Sequence, residues 1–283
     1  RDDGKRPDLF VAPRNLHGAL HGDSVLVRMV PDGRDECEVV LIAERSQKPV
    51  VGRFTAERGY GYVIPFDARA NFDLFIPGSR VGGAHDGDTV VARIDRYPED
   101  GQSPEGHVEE ILGREDRESQ ILAIIRSHDL REEFPVKVQR AAEAVPAELT
   151  EREMNGREDF RTLTTVTIDG EDSRDLDDAV SLEELPGGGY LLGVHIADVA
   201  HYVREGSPID REAFERGTSV YFPDRVYPML PRELSNGICS LNGGVDRLTL
   251  SCMIEFDAGG NVVSSRLAEG VINTAARMTY TDV

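Results

Sequence analysis

The residues Asp169-Gly170-Glu171-Asp172-Ser173-Arg174-Asp175-Leu176-Asp177-Asp178 set six acidic side chains against a single Arg. Carboxylates at this density repel one another. If they converge in a partly buried place, proton uptake or a bound cation has to relieve the repulsion, and an all-oxygen donor set suits a hard ion such as Mg2+, with Mn2+ as a substitute. On a solvated loop they would need neither. The run interrupts an apolar stretch, with Val166 and Ile168 before it and Ala179 and Val180 after it, so part of it should lie near a core. A calcium-binding EF-hand loop is excluded, because counting from Asp169 its sixth place holds Arg174 where Gly is required and its twelfth holds Val180 where Glu is required. The chain has no Walker-type G-x-x-x-x-G-K, no H-E-x-x-H and no G-x-S-x-G. Carboxylates without a nucleophilic Ser or Cys constellation suit metal-assisted displacement at phosphorus, where a cation activates water and neutralises the phosphoryl oxygens.

The elements that would hold this run are mixed. Strand-like stretches at 163–168, 190–196 and 248–256 alternate with a helix expected at 209–216 and with long Pro- and Gly-rich loops, so an α/β domain is expected from 161 onwards. Ahead of it, Ile121, Ile124, Ile125 and His128 recur at helical spacing, and a second helical stretch near 136–145 stops at Pro146. Residues 115–160 therefore read as a charged helical connector.

The first part of the chain repeats itself. Leu9-Phe10-Val11, Gly18-Ala19, Gly22-Asp23, Val25 and Arg28 recur 65 residues later as Leu74-Phe75-Ile76, Gly83-Ala84, Gly87-Asp88, Val90 and Arg93. Further on, Val39 and Ile42 match Val108 and Ile111 after four extra residues, as when a surface loop grows between strands. About five short strands in the second copy suit a small OB-type barrel. The first copy starts at the equivalent of the third strand, behind an Arg, and is expected to be N-terminally incomplete. The expected domains are 1–46 and 47–114 for the two barrels, 115–160 for the connector and 161–283 for the α/β domain.

In the second copy Gly59-Tyr60-Gly61-Tyr62-Val63 puts Tyr60 and Tyr62 on one face of a strand. With Phe54 on the preceding strand and Phe75 on the following one, that face could stack unpaired bases while Arg53 and Arg58 meet phosphates. An ordinary barrel with exposed tyrosines has the same pattern, and both readings stay open.

Composition narrows the classes. The 283 residues exceed one core, and 28 Gly with 15 Pro favour many turns. Cys37, Cys239 and Cys252 form no C-x-x-C pair, which gives no support to a zinc ribbon or a disulfide framework. No apolar run of about 18 residues and no signal-like segment occur, so a soluble, cytoplasmic protein without a membrane partner is expected. The net charge of −20 opposes nucleic-acid binding, which would have to rely on local basic patches.

The Gly59–Val63 stretch, followed by Asp73-Leu74-Phe75-Ile76, resembles the RNA-binding strands of cold-shock domains, with Phe54 where these carry Trp and Arg58 where they carry Lys. The spacing of Asp169, Asp175, Asp177 and Asp178 resembles the signature of the RNase II/RNase R (RNB) family. So do Gly193-Val194-His195-Ile196-Ala197-Asp198-Val199, Ser219-Val220-Tyr221-Phe222-Pro223 and the stretch from Pro228-Met229-Leu230-Pro231 to Cys239-Ser240-Leu241. The Ser235-Asn236-Gly237 and Thr218–Tyr221 stretches lean towards RNase R. The resemblance implies two OB-fold, cold-shock-like β-barrels followed by the first part of a mixed α/β RNB catalytic domain. It implies processive 3′-to-5′ hydrolysis of single-stranded RNA to nucleoside 5′-monophosphates with Mg2+, by a protein expected to be a monomer. By matching positions, Asp169 and Asp178 would bind the metal, Asp175 would complete the site, and Asp177 would serve the chemical step. Tyr221 would pack on a base near the RNA's 3′ end. His195 reads as a satisfied core residue, and Asp198 and the proline-framed loop as shaping the site. The family's domain continues past the equivalent of Val283 with a catalytic Arg and a second aromatic clamp. A non-catalytic RNA-binding fragment therefore remains the alternative, and an acidic protein-interaction surface is a third reading.

Overall fold

The computed structural model describes residues 8–31, 36–98, 102–114 and 116–283. The sequence-defined segments also include 1–7, 32–35, 99–101 and 115, which lie outside the described residues. The chain forms two compact units, Arg1–Leu130 and Arg131–Val283.

In the first unit, strands β1 (Phe10–Val11), β2 (Ser24–Met29) and β3 (Glu36–Glu44) form a sheet in the order β1-β3-β2. Strands β4 (Val50–Glu57), β5 (Tyr60–Pro65), β6 (Leu74–Pro77), β7 (Asp88–Arg96) and β8 (Glu105–Arg114) close into a barrel. The repeat is physical. Phe10 pairs in parallel with Glu36 just as Phe75 does with Glu105. The glycines Gly22 and Gly87 share a left-handed backbone, with φ of 89° and 86°, which side chains rarely tolerate. The Asp after each glycine accepts a turn amide: Leu20 N to Asp23 at 2.9 Å, His85 N to Asp88 at 2.8 Å. Each Asp also pairs with an Arg at the end of the last strand of its copy: Arg45, just past β3, or Arg114, the last residue of β8.

The barrel interior is Val50, Phe54, Val63, Leu74, Ile76, Val90, Ala92 and Val108. The helical stretch 115–160 is divided between the units. Helix α1 (Arg117–Ser127), capped by Asp116 and Ser119, lays Ala123 against Val51, Val91 and Leu112 of the barrel wall. Helix α2 (Val136–Glu143) instead buries Val138 and Ala142 in the core of the second unit.

That unit continues with α3 (Glu151–Met154), β9 (Glu158–Asp159), β10 (Thr165–Asp169), β11 (Asp178–Leu185), β12 (Gly189–Ala197), α4 (Val199–Tyr202) and α5 (Pro208–Arg216). There follow β13 (Val220–Tyr221), β14 (Val226–Tyr227), a π-helical turn at Glu233–Ile238, β15 (Asp246–Phe256) and β16 (Val262–Thr279). The main sheet runs β10-β11-β12-β15-β16-β9, and β10 also pairs with β16, so the sheet curls back on itself.

One face carries Thr165, Thr167, Ser181, His195, Thr249, Ser251 and Thr274, all buried. His195 fills this small-residue space, with Nε2 at 3.0 Å from Ser181 Oγ and Nδ1 at 2.7 Å from Ser251 Oγ. A Cβ on Gly193 would stand 2.6 Å from His195 Nε2, so that position has to be glycine. Alongside lies an apolar core that includes Leu176, Ile209, Leu234, Ile238, Leu241, Met253 and Ile272.

Candidate active site

Strand β10 ends on Asp169 and β11 begins on Asp178, so the acidic run is the connection between two neighbouring antiparallel strands. Leu176 anchors the middle of this loop. It is 1% exposed within the apolar core, while Asp177 beside it is exposed and Asp175 is half-buried. The loop leaves the core and returns to it, as the flanking apolar residues require.

The carboxylates act on one another electrostatically. Burial, then the charge of Asp178, pushes the Asp169 carboxyl above its ordinary value; Arg277 opposes this and Asp175 adds to it. Asp177 is likewise pushed up, by desolvation first and then by Asp175, Asp178 and Asp169, although its side chain still reaches solvent. Tyr221, on the short β13–β14 hairpin, donates its hydroxyl to Asp175 Oδ2. That bond, reinforced by burial and the Asp175 charge, pushes its phenol up to about 12. The four acids of one run thus act on one another electrostatically, and Tyr221 joins them from a separate hairpin through Asp175. Arg277, from β16, donates to the carbonyls of Gly170 (3.1 Å) and Glu171 (2.6 Å). It lies about a hundred residues from the run it braces, and nothing in the linear sequence pointed to it.

Among the described residues, no three His, Cys, Asp or Glu side chains stand together as a ready-made metal cage. The donor chemistry nevertheless fits a hard cation. The loop offers only oxygens, and Asp169 Oδ2 is buried without a hydrogen-bond partner, an expensive arrangement unless a cation or a proton meets it. His195 and Asp198 stand apart from this chemistry. His195 is satisfied by two hydroxyls, and Asp198 caps α4 and pairs with Arg157 at 2.5 Å.

The barrel wall shows a second candidate surface. Register places Arg53 beside Ile64, Thr55 beside Tyr62, and Tyr62 beside Phe75, all on the outer face of β4-β5-β6. The rings of Tyr60, Tyr62 and Phe75 form a triangle with centroids 5.6 to 5.7 Å apart, and Tyr60 is 38% exposed. Arg53 and Arg58 are exposed. Phe54 does not join them. It points inward, is 1% exposed and packs in the barrel core, so the expectation that it stacks a base is corrected. The aromatic that replaces the cold-shock Trp faces the other side of the strand.

These parts define an OB-barrel chain joined to an α/β domain with an acidic centre, and comparison with known proteins agrees. The RNB domain model matches residues 157–283, the cold shock domain model 62–135 and the ribonuclease B OB domain model 1–42. Ribonuclease R of Thermotoga maritima is 47% identical over 96% of the chain, and that of Escherichia coli 40% identical over 100% of it. The chain spans 39% and 35% of the length of these two relatives. Among solved structures, Mycoplasma genitalium RNase R in complex with ribose-methylated single-stranded RNA superposes with a TM-score of 0.84 at 29% identity, covering 96% of this chain and 44% of that one. The chain belongs to the RNase II/RNase R (RNB) family of exoribonucleases and resembles its RNase R members. Among the described residues no helix is long and apolar enough to cross a membrane.

Proposed function

We propose that this chain carries the RNA-entry barrel and the acidic centre of a cytoplasmic, monomeric 3′-to-5′ exoribonuclease that degrades single-stranded RNA processively to nucleoside 5′-monophosphates. The observation that supports it most is the mutual repulsion of Asp169, Asp175, Asp177 and Asp178 around an unpartnered, buried Asp169 oxygen. The nucleases of this family are generally metal-dependent. Here Asp169 and Asp178 would hold Mg2+, with Asp175 completing the oxygen set. Bound there, the cation would supply an activated water and charge neutralisation at the phosphoryl group.

Asp177, next to the anchored Leu176 and open to solvent, would orient the attacking water and take its proton. Its raised affinity for protons suits that task. Tyr221 reaches over the acids from its hairpin and is 61% exposed, so its ring is free to pack on a base near the RNA's 3′ end. Upstream, Tyr60, Tyr62 and Phe75 would stack unpaired bases while Arg53 and Arg58 meet phosphates, a local basic patch on an acidic chain.

A second reading, a non-catalytic RNA-binding module, is favoured by one fact: among the described residues no three metal-ligating side chains stand together as a ready-made cage. A time course on 5′-labelled single-stranded RNA with Mg2+ separates the two. Shortening to a few nucleotides, lost with EDTA and in Asp177→Asn while RNA binding persists, is the expected result. Binding without shortening would leave the second reading.

A further inference from the structure

The loop framed by Pro228 and Pro231 runs on through Cys239-Ser240-Leu241, and its relation to the acidic run is direct. Ser240 is fully buried. Its hydroxyl donates to the carbonyl of Arg174 at 2.8 Å and accepts the amide of Leu176 at 3.1 Å. The next amide, Leu241 N, donates to the carbonyl of Leu176 at 2.8 Å. Three hydrogen bonds thus tie the backbone on both sides of Leu176 to two consecutive residues. On the far side, Asp177 O accepts from Ala197 N at 2.9 Å.

The partner stretch is itself held. Arg247, buried and pulled below its ordinary pKa by desolvation, donates from Nε to Ser240 O at 2.8 Å, and from its two terminal nitrogens to Asp246 O at 2.9 Å and Gly237 O at 3.2 Å. Among the described residues it forms no ion pair, so its hydrogen-bonding capacity goes into backbone carbonyls. Arg247, the Gly237–Ser240 backbone and the Arg174–Leu176 backbone form one continuous hydrogen-bonded chain.

We infer that Ser240 is a positioning residue, a hydroxyl bolt that fixes the backbone between Asp175 and Asp177 and so sets where their carboxylates stand for the cation. The inference rests on the metal-centre reading above. Like-charged side chains tend to spread apart, and a loop of six acids needs an opposing restraint on its backbone. A single hydroxyl that both donates and accepts across the loop provides it. Residues that orient metal ligands without touching the metal shift metal affinity when replaced.

The test uses the full 283-residue chain, with Mn2+ as the probe titrated by calorimetry, and with amide hydrogen exchange at Leu176 as a readout free of metal. Variants are Ser240→Ala, Asp177→Asn and, as a stability control in the His195 network, Ser251→Ala. Expected is a roughly 10- to 100-fold weaker Mn2+ affinity and faster Leu176 exchange in Ser240→Ala, with Ser251→Ala within about twofold of wild type despite its own loss in Tm. Wild-type Mn2+ affinity in Ser240→Ala, or an equal loss in Ser251→Ala, overturns the inference while leaving the metal centre intact. If neither wild type nor Asp177→Asn binds Mn2+ saturably, the metal-centre reading falls, and the role of Ser240 falls with it.

Discussion

His195 should make the second unit acid-sensitive in a way that can be isolated. The ring is fully buried, and desolvation lowers its pKa from 6.5 to about 4. Because the folded-state pKa lies below the unfolded one, the unfolded chain takes up the proton first. Its contribution to stability is complete above about pH 6.5 and is lost as the pH falls towards 4. With one pKa unit corresponding to about 1.4 kcal/mol, lowering the pH from about 7 to about 5 should remove about 2 kcal/mol. His195→Gln offers an amide to Ser181 and Ser251 but cannot titrate, so the difference in pH dependence between wild type and variant isolates this residue from the many carboxylates. The opening free energy of β12 amides, read by native-state hydrogen exchange, reports on this unit. Equal pH slopes in the two proteins would refute the reasoning. So would an imidazole that titrates near 6.5 in the folded state by NMR.

The two aromatic environments of the barrel should separate cleanly. Phe54→Ala should cost about 3–5 kcal/mol and unfold the barrel by circular dichroism, whereas Tyr62→Ala should leave it folded and weaken single-stranded RNA binding by about 1–3 kcal/mol in anisotropy titrations. Gly61→Ala would bring a Cβ to 2.4 Å from Phe54 Cζ, so a loss of about 1–3 kcal/mol is expected in urea unfolding. Asp175→Asn should bring the Tyr221 phenol down from about 12 towards 10, seen by ultraviolet titration; an unchanged midpoint would mean that the hydroxyl–carboxylate bond is not formed in solution.

Much of this fold was legible in the sequence where local pattern and tertiary context agree. The second-copy strands follow from β-branched runs punctuated by Gly-Asp turns, and α5 from its periodicity together with Ser207 as N-cap. Strand β11 was hidden because Ser181-Leu182-Glu183-Glu184-Leu185 has no strand-like composition; its pairing with β12 overrides propensity. The 18-residue β16 was missed because most of its first half is exposed and its partners change along its length. Phe54 was assigned to the wrong face because alternation fixes which residues share a side, not which side meets the core. At the acidic site the four aspartates could be read off the sequence, since they lie in one run. The roles of Arg277, Ser240 and Arg247 could not, because each acts on backbone groups remote in sequence; Ser240 lies in the stretch that resembles the family, but its type and spacing did not reveal its hold on the acidic loop.

The pairing of β10 with β16 also bears on the order of assembly. Thr165–Asp169 lies against Thr274–Thr279, more than a hundred residues downstream, and Tyr280 N donates to Asp169 O at 3.2 Å. A ribosome that has released only the residues through β15 holds a chain whose Asp169 strand lacks one of its two neighbours. Contacts this distant form late, because chain closure comes before their reward. The barrel of β4–β8, by contrast, is complete within 65 residues of continuous sequence. During synthesis the barrel can therefore fold well before the acidic centre, so under the proposed function the aromatic face would be in place before the carboxylates are assembled.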